Sequence, residues 1–330
     1  MAAVPAVGNK QNPIPVSLVL GAGGARGYAH IGAIEELLAS GFAIRAIAGS
    51  SMGALIGGIY AAGKLDVYRD WVRPLRRVDV LRMLDWTLSG GGFIKGDKLV
   101  EVLKHLIGDI AIDDLPIDYT AVAVDLDTQR EVWLSSGPLF DAIRASIAVP
   151  TVFRPHRYQG HLLVDGGLLN PLPVAPTLRD LTDYIIAVDV NAPAEPEVAA
   201  ASGTRPPLRG QRLPMPLIST ADDPADSTAG AAGYRQRIGE FVESLLEKRK
   251  AHGSEHVPGI IELFTRSLDA LQGAMTRLKL AAQPPDLLIT VPYNACASYD
   301  FHRADELIEI GRQRTREALA RWSPPGARWR

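Results

Sequence analysis

Ser51 sits at the centre of Gly49-Ser50-Ser51-Met52-Gly53, a Gly-x-Ser-x-Gly run entered from the small apolar stretch Ala46-Ile47-Ala48 and left through Ala54-Leu55. A serine hydroxyl attacks a carbonyl carbon only if a sharp turn holds it clear of its neighbours. A strand that runs into a glycine-flanked serine and then into a helix supplies that turn and forms a nucleophile elbow. Gly49 and Gly53 remove the Cβ atoms that would collide where strand and helix pass each other. A Gly/Ser-rich turn without chemistry can have the same five letters, so the surrounding residues decide.

Two further stretches bring the groups an acylating serine needs. Gly21-Ala22-Gly23-Gly24-Ala25-Arg26-Gly27 follows the apolar run Val16-Ser17-Leu18-Val19-Leu20 and feeds a helical pattern, Ala29, Ile31, Ala33, Ile34, Leu37 and Leu38. Backbone N–H groups clustered at such a helix start stabilise a negative oxygen, including the oxyanion of an acyl-transfer intermediate. Strand, glycine loop and helix in that order also open dinucleotide sites. Here Arg26 takes the third glycine slot counted from Gly21, Ala22 takes the first counted from position 22, and no acidic residue ends the second strand. A nucleotide therefore fits this loop less well than an oxyanion.

The third stretch is Asp165-Gly166-Gly167, at the end of the short strand Leu162-Leu163-Val164. An aspartate at a strand end, ahead of two glycines that admit other backbone closely, is a poor core residue and a good base. Asp125 and Asp127 are rival carboxylates, expected in a solvated hairpin between strands at 119–124 and 131–134.

The elements that must position these residues alternate along the chain. Strands are expected at 16–20, 43–48, 119–124, 131–134, 162–164, 184–190 and 286–291. Helices are expected after the glycine loop, after the elbow, at 66–75 and 80–88, capped by Asp97, opened by Pro138, and at 304–319. That alternation predicts an α/β fold with a central, mostly parallel sheet covered by helices on both faces. Residues 1–15 read as a flexible arm, 16–190 as the catalytic core, 191–259 as a loop and helical insertion, and 260–330 as helices and a strand completing the core. Two amphipathic segments lie at 234–246 and 260–278. The first, beside Arg235, Arg237, Lys248, Arg249 and Lys250, is a lid candidate or a membrane-surface contact, while the plainer role of the pair is to cover the sheet or each other.

Composition narrows the classes. In 330 residues, 47% hydrophobic content fills a substantial core, and a net charge of −2 leaves no electrostatic footprint for nucleic acid. The single cysteine, Cys296, excludes an internal disulfide and a cysteine zinc site and suits a reducing compartment, so the expected location is the cytoplasm. The N-terminus lacks a basic start followed by an apolar run. Residues 46–63 carry no charge and include Gly53-x-x-x-Gly57, but Gly, Ser and Ala dominate them, which suits a closely packed elbow helix better than a membrane span. None of the seven histidines pairs at ligand spacing with a second ligand, so neither a metal nor a cofactor is expected.

Taken in order, the glycine loop, the elbow and the Asp-Gly-Gly motif resemble the patatin-like phospholipases, in particular their compact bacterial members. Arg144-Ala145-Ser146-Ile147-Ala148-Val149-Pro150 looks like the stretch ahead of the aspartate in that family, and Tyr299-Asp300-Phe301 looks like the closing segment of the bacterial branch. The resemblance implies a Ser-Asp dyad without histidine that cleaves acyl esters of phospholipids or related lipids, with peripheral membrane contact as a further expectation. By the same resemblance Ser51 is the nucleophile, Asp165 the general base, and the N–H groups of Gly23, Gly24 and Ala25 the oxyanion hole. Arg26 then steadies the loop or meets a lipid phosphate, and Gly27, Gly49, Gly53, Gly166 and Gly167 support the site. Ala22 in place of a loop glycine and the long 191–259 stretch depart from the family pattern.

A carboxylate near its ordinary value of about 3.9 is a weak base toward a serine, and enclosure in an apolar cleft would strengthen it. Two rival readings stand beside this one. Ser51, Asp165 and His302 follow the chain order of an α/β-hydrolase triad, although the elbow arrives one strand after the start, earlier than that fold places it. A non-catalytic acyl-lipid-binding protein would keep the cleft and lose turnover.

Overall fold

The computed structural model describes residues 12–82, 92–196 and 260–324. The chain divides into two units, residues 1–206 with 265–330 and residues 207–264, and the sheet and the site belong to the first.

Five strands form the parallel centre: β1 (Ile14–Leu20), β2 (Phe42–Ser50), β4 (Asp118–Asp125), β9 (Tyr184–Ala192) and β10 (Leu287–Pro292). β1 pairs in parallel with β2 on one side and β9 on the other, β9 pairs with β10, and β2 with β4. β9 is buried along its whole length, which is why it reads as an almost unbroken apolar run rather than an alternation. Antiparallel strands complete the far side: β5 (Arg130–Leu134) and β8 (His161–Asp165) pair with β4, and β7 (His156–Tyr158) pairs with β8. A separate two-stranded ladder joins β3 (Gly92–Ile94) to β6 (Thr151–Phe153).

The two sheet faces are covered unequally. On one, Val16, Leu18 and Leu20 of β1 and Ile186, Val188 and Val190 of β9 join the main core. That core also takes in residues of α1 (Ala29–Ala39), α2 (Met52–Ala61), α3 (Leu65–Val72), α5 (Asp97–Ile107), α6 (Leu139–Ser146) and α8 (Ala304–Arg321). On the other face Val19, Ile185 and Ala187 meet Leu172 and Val174, with Leu280 of α7 (Ile260–Ala282) packed against them. A short α4 (Arg77–Arg82) follows α3. The mixed, mostly parallel sheet flanked by helices is the α/β architecture expected from the alternation.

Several details differ from the expectation. β1 starts at Ile14, inside the stretch expected as an arm. Asp97 is the first helical residue of α5 rather than its cap, since Gly96, at φ 84°, takes the cap position with a left-handed backbone. The turn after β4 is the exposed hairpin expected, with residues 126–130 at the surface, but Asp125 at its base is not solvated. Asp125 is buried there, accepting from the Asp127 N–H at 3.1 Å and the Thr128 hydroxyl at 2.8 Å, so its carboxylate closes the turn. The helix expected at 234–246, its basic residues and most of the 80–88 segment lie outside the described residues.

Candidate active site

β2 ends at Ser50 and α2 begins at Met52, which leaves Ser51 alone at the turn with φ 55° and ψ −124°. A non-glycine residue rarely adopts a positive φ, and it persists only where the surroundings over-determine it. Here the Ser51 N–H donates to Ser146 Oγ at 2.9 Å, and the Ser146 hydroxyl donates in turn to the Val122 carbonyl at 2.6 Å. A Cβ on Gly53 would stand 2.0 Å from the Leu20 carbonyl oxygen, and one on Gly49 would stand 2.5 Å from backbone atoms of Gly53 and Ala54. Strand and helix can pass this closely only with glycine at both places.

Asp165 reaches Ser51 through the sheet. Residues 118–122 of β4 pair with β2, residues 121–125 with β5, and residues 123–125 with β8, so β2 and β8 share one edge of β4 end to end. Ser50 lies opposite Val122 and Asp165 opposite Ala123, which brings the ends of two opposed strands together. The Ser51 hydroxyl donates to Asp165 Oδ2 at 2.6 Å, the Gly167 N–H donates to Asp165 Oδ1 at 2.7 Å, and the Asp165 N–H donates to the Ala148 carbonyl at 3.0 Å. Gly166 lets β4 come close, since a Cβ there would stand 2.1 Å from the Val122 oxygen. The Asp165 carboxyl is 1% exposed, and burial pushes its pKa up to about 7 against the opposing hydrogen bonds from Ser51 and Gly167.

The glycine loop leaves β1 beside this pair. Ala22 Cβ and Asp165 Oδ1 each lie 2.9 Å from the point a Gly167 Cβ would occupy. Gly27 faces Met52, whose Cβ would be 2.4 Å from a side chain there. Gly24, at φ 56°, starts a 3₁₀ turn over Gly24–Tyr28. The three N–H groups expected to act together differ in their hydrogen bonding. Ala25 donates to the Ser298 carbonyl at 2.8 Å and is committed to the segment after β10, whereas no described residue accepts from Gly23 or Gly24.

Arg26 is almost wholly buried. Its guanidinium donates to Asp269 Oδ1 and Asn191 Oδ1, each at 2.7 Å, and to the carbonyls of Tyr293 at 3.2 Å and Cys296 at 3.3 Å. With those acceptors it fastens the loop to α7, β9 and the segment after β10, which leaves the lipid-phosphate alternative without support. His30 does similar work. Buried, with its pKa lowered to about 4 by desolvation, it stays neutral and bonds through Nε2 to the Gly21 carbonyl at 2.8 Å.

His302 is half-buried, and among the described residues no histidine hydrogen-bonds to Ser51 or Asp165. No group of three or more His, Cys, Asp or Glu among the described residues could hold a metal ion, and none of their helices is long and apolar enough to cross a membrane. Ser146, Asn191 and Gln272 belong to the site's surroundings without having been singled out from the sequence. Ser146 lay within a stretch noticed only for its resemblance, and Asn191 and Gln272 sit in elements whose register the sequence does not reveal.

Residues 18–178 match the family described as patatin-like phospholipase. An uncharacterised NTE family protein of Mycobacterium tuberculosis is 40% identical over 92% of this chain and 91% of its own length. A lysophospholipase of Debaryomyces hansenii is 28% identical over 94% of this chain but only 18% of that protein. The neuropathy target esterase of Drosophila melanogaster is 31% identical over 54% of this chain and 13% of that protein. Like them in sequence and carrying the sheet, elbow and Asp-Gly-Gly strand in one site, the chain belongs to the patatin-like phospholipase family.

Proposed function

We propose that this protein is a serine hydrolase of lipid carboxylic esters, with Ser51 as nucleophile, Asp165 as general base and the N–H groups of Gly23 and Gly24 as the oxyanion hole. The observation that carries the reading is the 2.6 Å bond from the Ser51 hydroxyl to an Asp165 carboxyl that is buried and shifted up to about 7. A carboxylate with that affinity for a proton is matched to its task near neutral pH. Ser51 Oγ attacks the ester carbonyl carbon while its proton passes to Asp165 Oδ2. The carbonyl oxygen becomes negative against the two free N–H groups. As the tetrahedral adduct collapses, the C–O bond to the alcohol breaks and the Asp165 proton leaves with that oxygen. Water, deprotonated by Asp165, then adds to the acyl carbon; the C–O bond to Ser51 breaks, the acid leaves, and the proton on Asp165 returns to Ser51 Oγ.

The names of the fungal and fly relatives, a lysophospholipase and an esterase, support phospholipid or lysophospholipid esters as the substrate class. The test pairs two measurements. A fluorophosphonate should label wild-type protein at Ser51 and leave Ser51→Ala unlabelled. Wild type incubated with a lipid extract should consume an acyl-ester lipid that Ser51→Ala leaves intact. Folded wild-type protein that neither labels nor consumes any lipid would overturn the proposal.

A further inference from the structure

Asn191, near the end of β9, is nearly buried and has its side-chain amide engaged on both sides. Oδ1 accepts from the Arg26 guanidinium at 2.7 Å. Nδ2 donates to the Ala22 carbonyl at 2.9 Å and to Gln272 Oε1 at 3.0 Å. Arginine can only donate and a peptide carbonyl can only accept, so the amide sits one way round. In a trans peptide unit the C=O and the following N–H point in opposite directions. The bond that draws the Ala22 oxygen toward Asn191 therefore turns the Gly23 N–H away from it, and no described residue accepts from that N–H.

Gln272 of α7, itself buried, completes the arrangement. With Oε1 on Asn191, its Nε2 lies against Gly167, 2.6 Å from where a Cβ would stand. Gly167 is the residue whose N–H holds Asp165 Oδ1. Two amides thus connect the glycine loop with the turn that carries the base.

We propose that Asn191 is a positioning residue of the oxyanion hole. By gripping the Ala22 carbonyl it aims the Gly23 N–H at the oxygen that becomes negative when Ser51 attacks, and Gln272 keeps the Asn191 amide in its seat. The inference rests on the hydrolase reading above and adds a residue to it. Asn191→Asp keeps size and the acceptor for Arg26 but sets an oxygen against the Ala22 oxygen, so the peptide unit must turn.

With p-nitrophenyl butyrate as probe, Asn191→Asp should lower kcat by about 10- to 100-fold with KM within about twofold, given that losing one oxyanion donor outright costs about 10²–10³ in kcat. Asn191→Ala, which loses the grip without the repulsion, should fall between that variant and wild type and covers the case in which Asn191→Asp folds poorly. Fluorophosphonate labelling separates positioning from folding. The labelled fraction at completion should match wild type while the labelling rate falls in step with kcat. Unchanged kcat in both variants, or a labelled fraction that falls in proportion to activity, would overturn the role of Asn191 while leaving the dyad standing. Absence of turnover and labelling in wild type would instead overturn the hydrolase reading, and this inference with it.

Discussion

The backbone N–H of Ser51 is held by the side-chain hydroxyl of Ser146, 95 residues away in the chain, at 2.9 Å. Two residues beyond Ser146, the Ala148 carbonyl accepts the Asp165 N–H at 3.0 Å. The end of α6 therefore grips the proposed nucleophile by one residue and the proposed base by another. It also props Ser51 in a backbone region that a serine avoids when free.

Replacing Ser146 by alanine strips a partner from the buried Ser51 N–H and from the Val122 carbonyl. The expected cost is about 1–3 kcal/mol of stability, read as a lower midpoint in denaturant unfolding. Turnover should fall by about 10- to 100-fold, because relaxation of the elbow misplaces Oγ against Asp165. Equal turnover of Ser146→Ala and wild type would show that the elbow holds its shape without this bond.

The pH profile of ester hydrolysis follows from the Asp165 value. The base must be ionised to accept the Ser51 proton, so kcat/KM should rise with pH, bend near 7 and then stay level. A profile measured from pH 5 to 9 on a soluble ester tests this. A bend near 4 would mean that the carboxyl is far better solvated than its burial indicates.

The same shift predicts a stability effect of opposite sense. Between the ordinary carboxylate value of about 3.9 and about 7, the folded protein binds a proton at Asp165 that the unfolded chain releases, so this residue costs stability as pH rises through that window. Asp165→Asn carries no such cost. Its unfolding midpoint relative to wild type should therefore increase from pH 5 to pH 8, measured by thermal melts in matched buffers. A difference that does not change with pH would contradict the raised value.

Arg26→Met should be destabilising rather than a mild change of ligand affinity. It leaves the largely buried Asp269 carboxylate, the Asn191 oxygen and two carbonyls without their donor, and breaking a buried pair in this way costs about 3–5 kcal/mol. Because Asp269 is partly exposed, the lower end of that range is expected, with loss of turnover from a loosened glycine loop. Urea unfolding alongside turnover measures both.

His302→Ala should leave ester hydrolysis within about twofold of wild type, since no hydrogen bond links His302 to Ser51 or Asp165. A fall of several orders of magnitude would restore the three-residue triad.

Much of the fold and part of the site were legible in the chain because short-range chemistry dictates them. The strand-loop-helix units around Gly21–Gly27 and around Ser51 are written in local apolar runs and glycines, and each formed close to where it was expected. The hydrogen-bond partners were not legible. Ala25 looked like an oxyanion donor until Ser298 arrived from the other end of the chain to take its N–H. Asp125 looked solvated until Thr128 and the Asp127 N–H folded over it. Such commitments join residues distant in sequence or depend on how a turn closes, and neither composition nor period carries them.

By itself the sequence determined that a serine would stand at a strand-to-helix turn, that a glycine-rich segment would precede a helix, and that an aspartate would end a strand, since each depends on a few neighbouring residues and on which side chains backbone sterics allow. Only the tertiary structure decided that these meet. β2 and β8 are separated by more than a hundred residues, yet they occupy successive halves of one edge of β4, and that pairing register alone places the Asp165 carboxyl against the Ser51 hydroxyl. The packing around that junction excludes water from the carboxyl and so raises its proton affinity toward neutral pH, a property of the assembled interior that no single segment possesses.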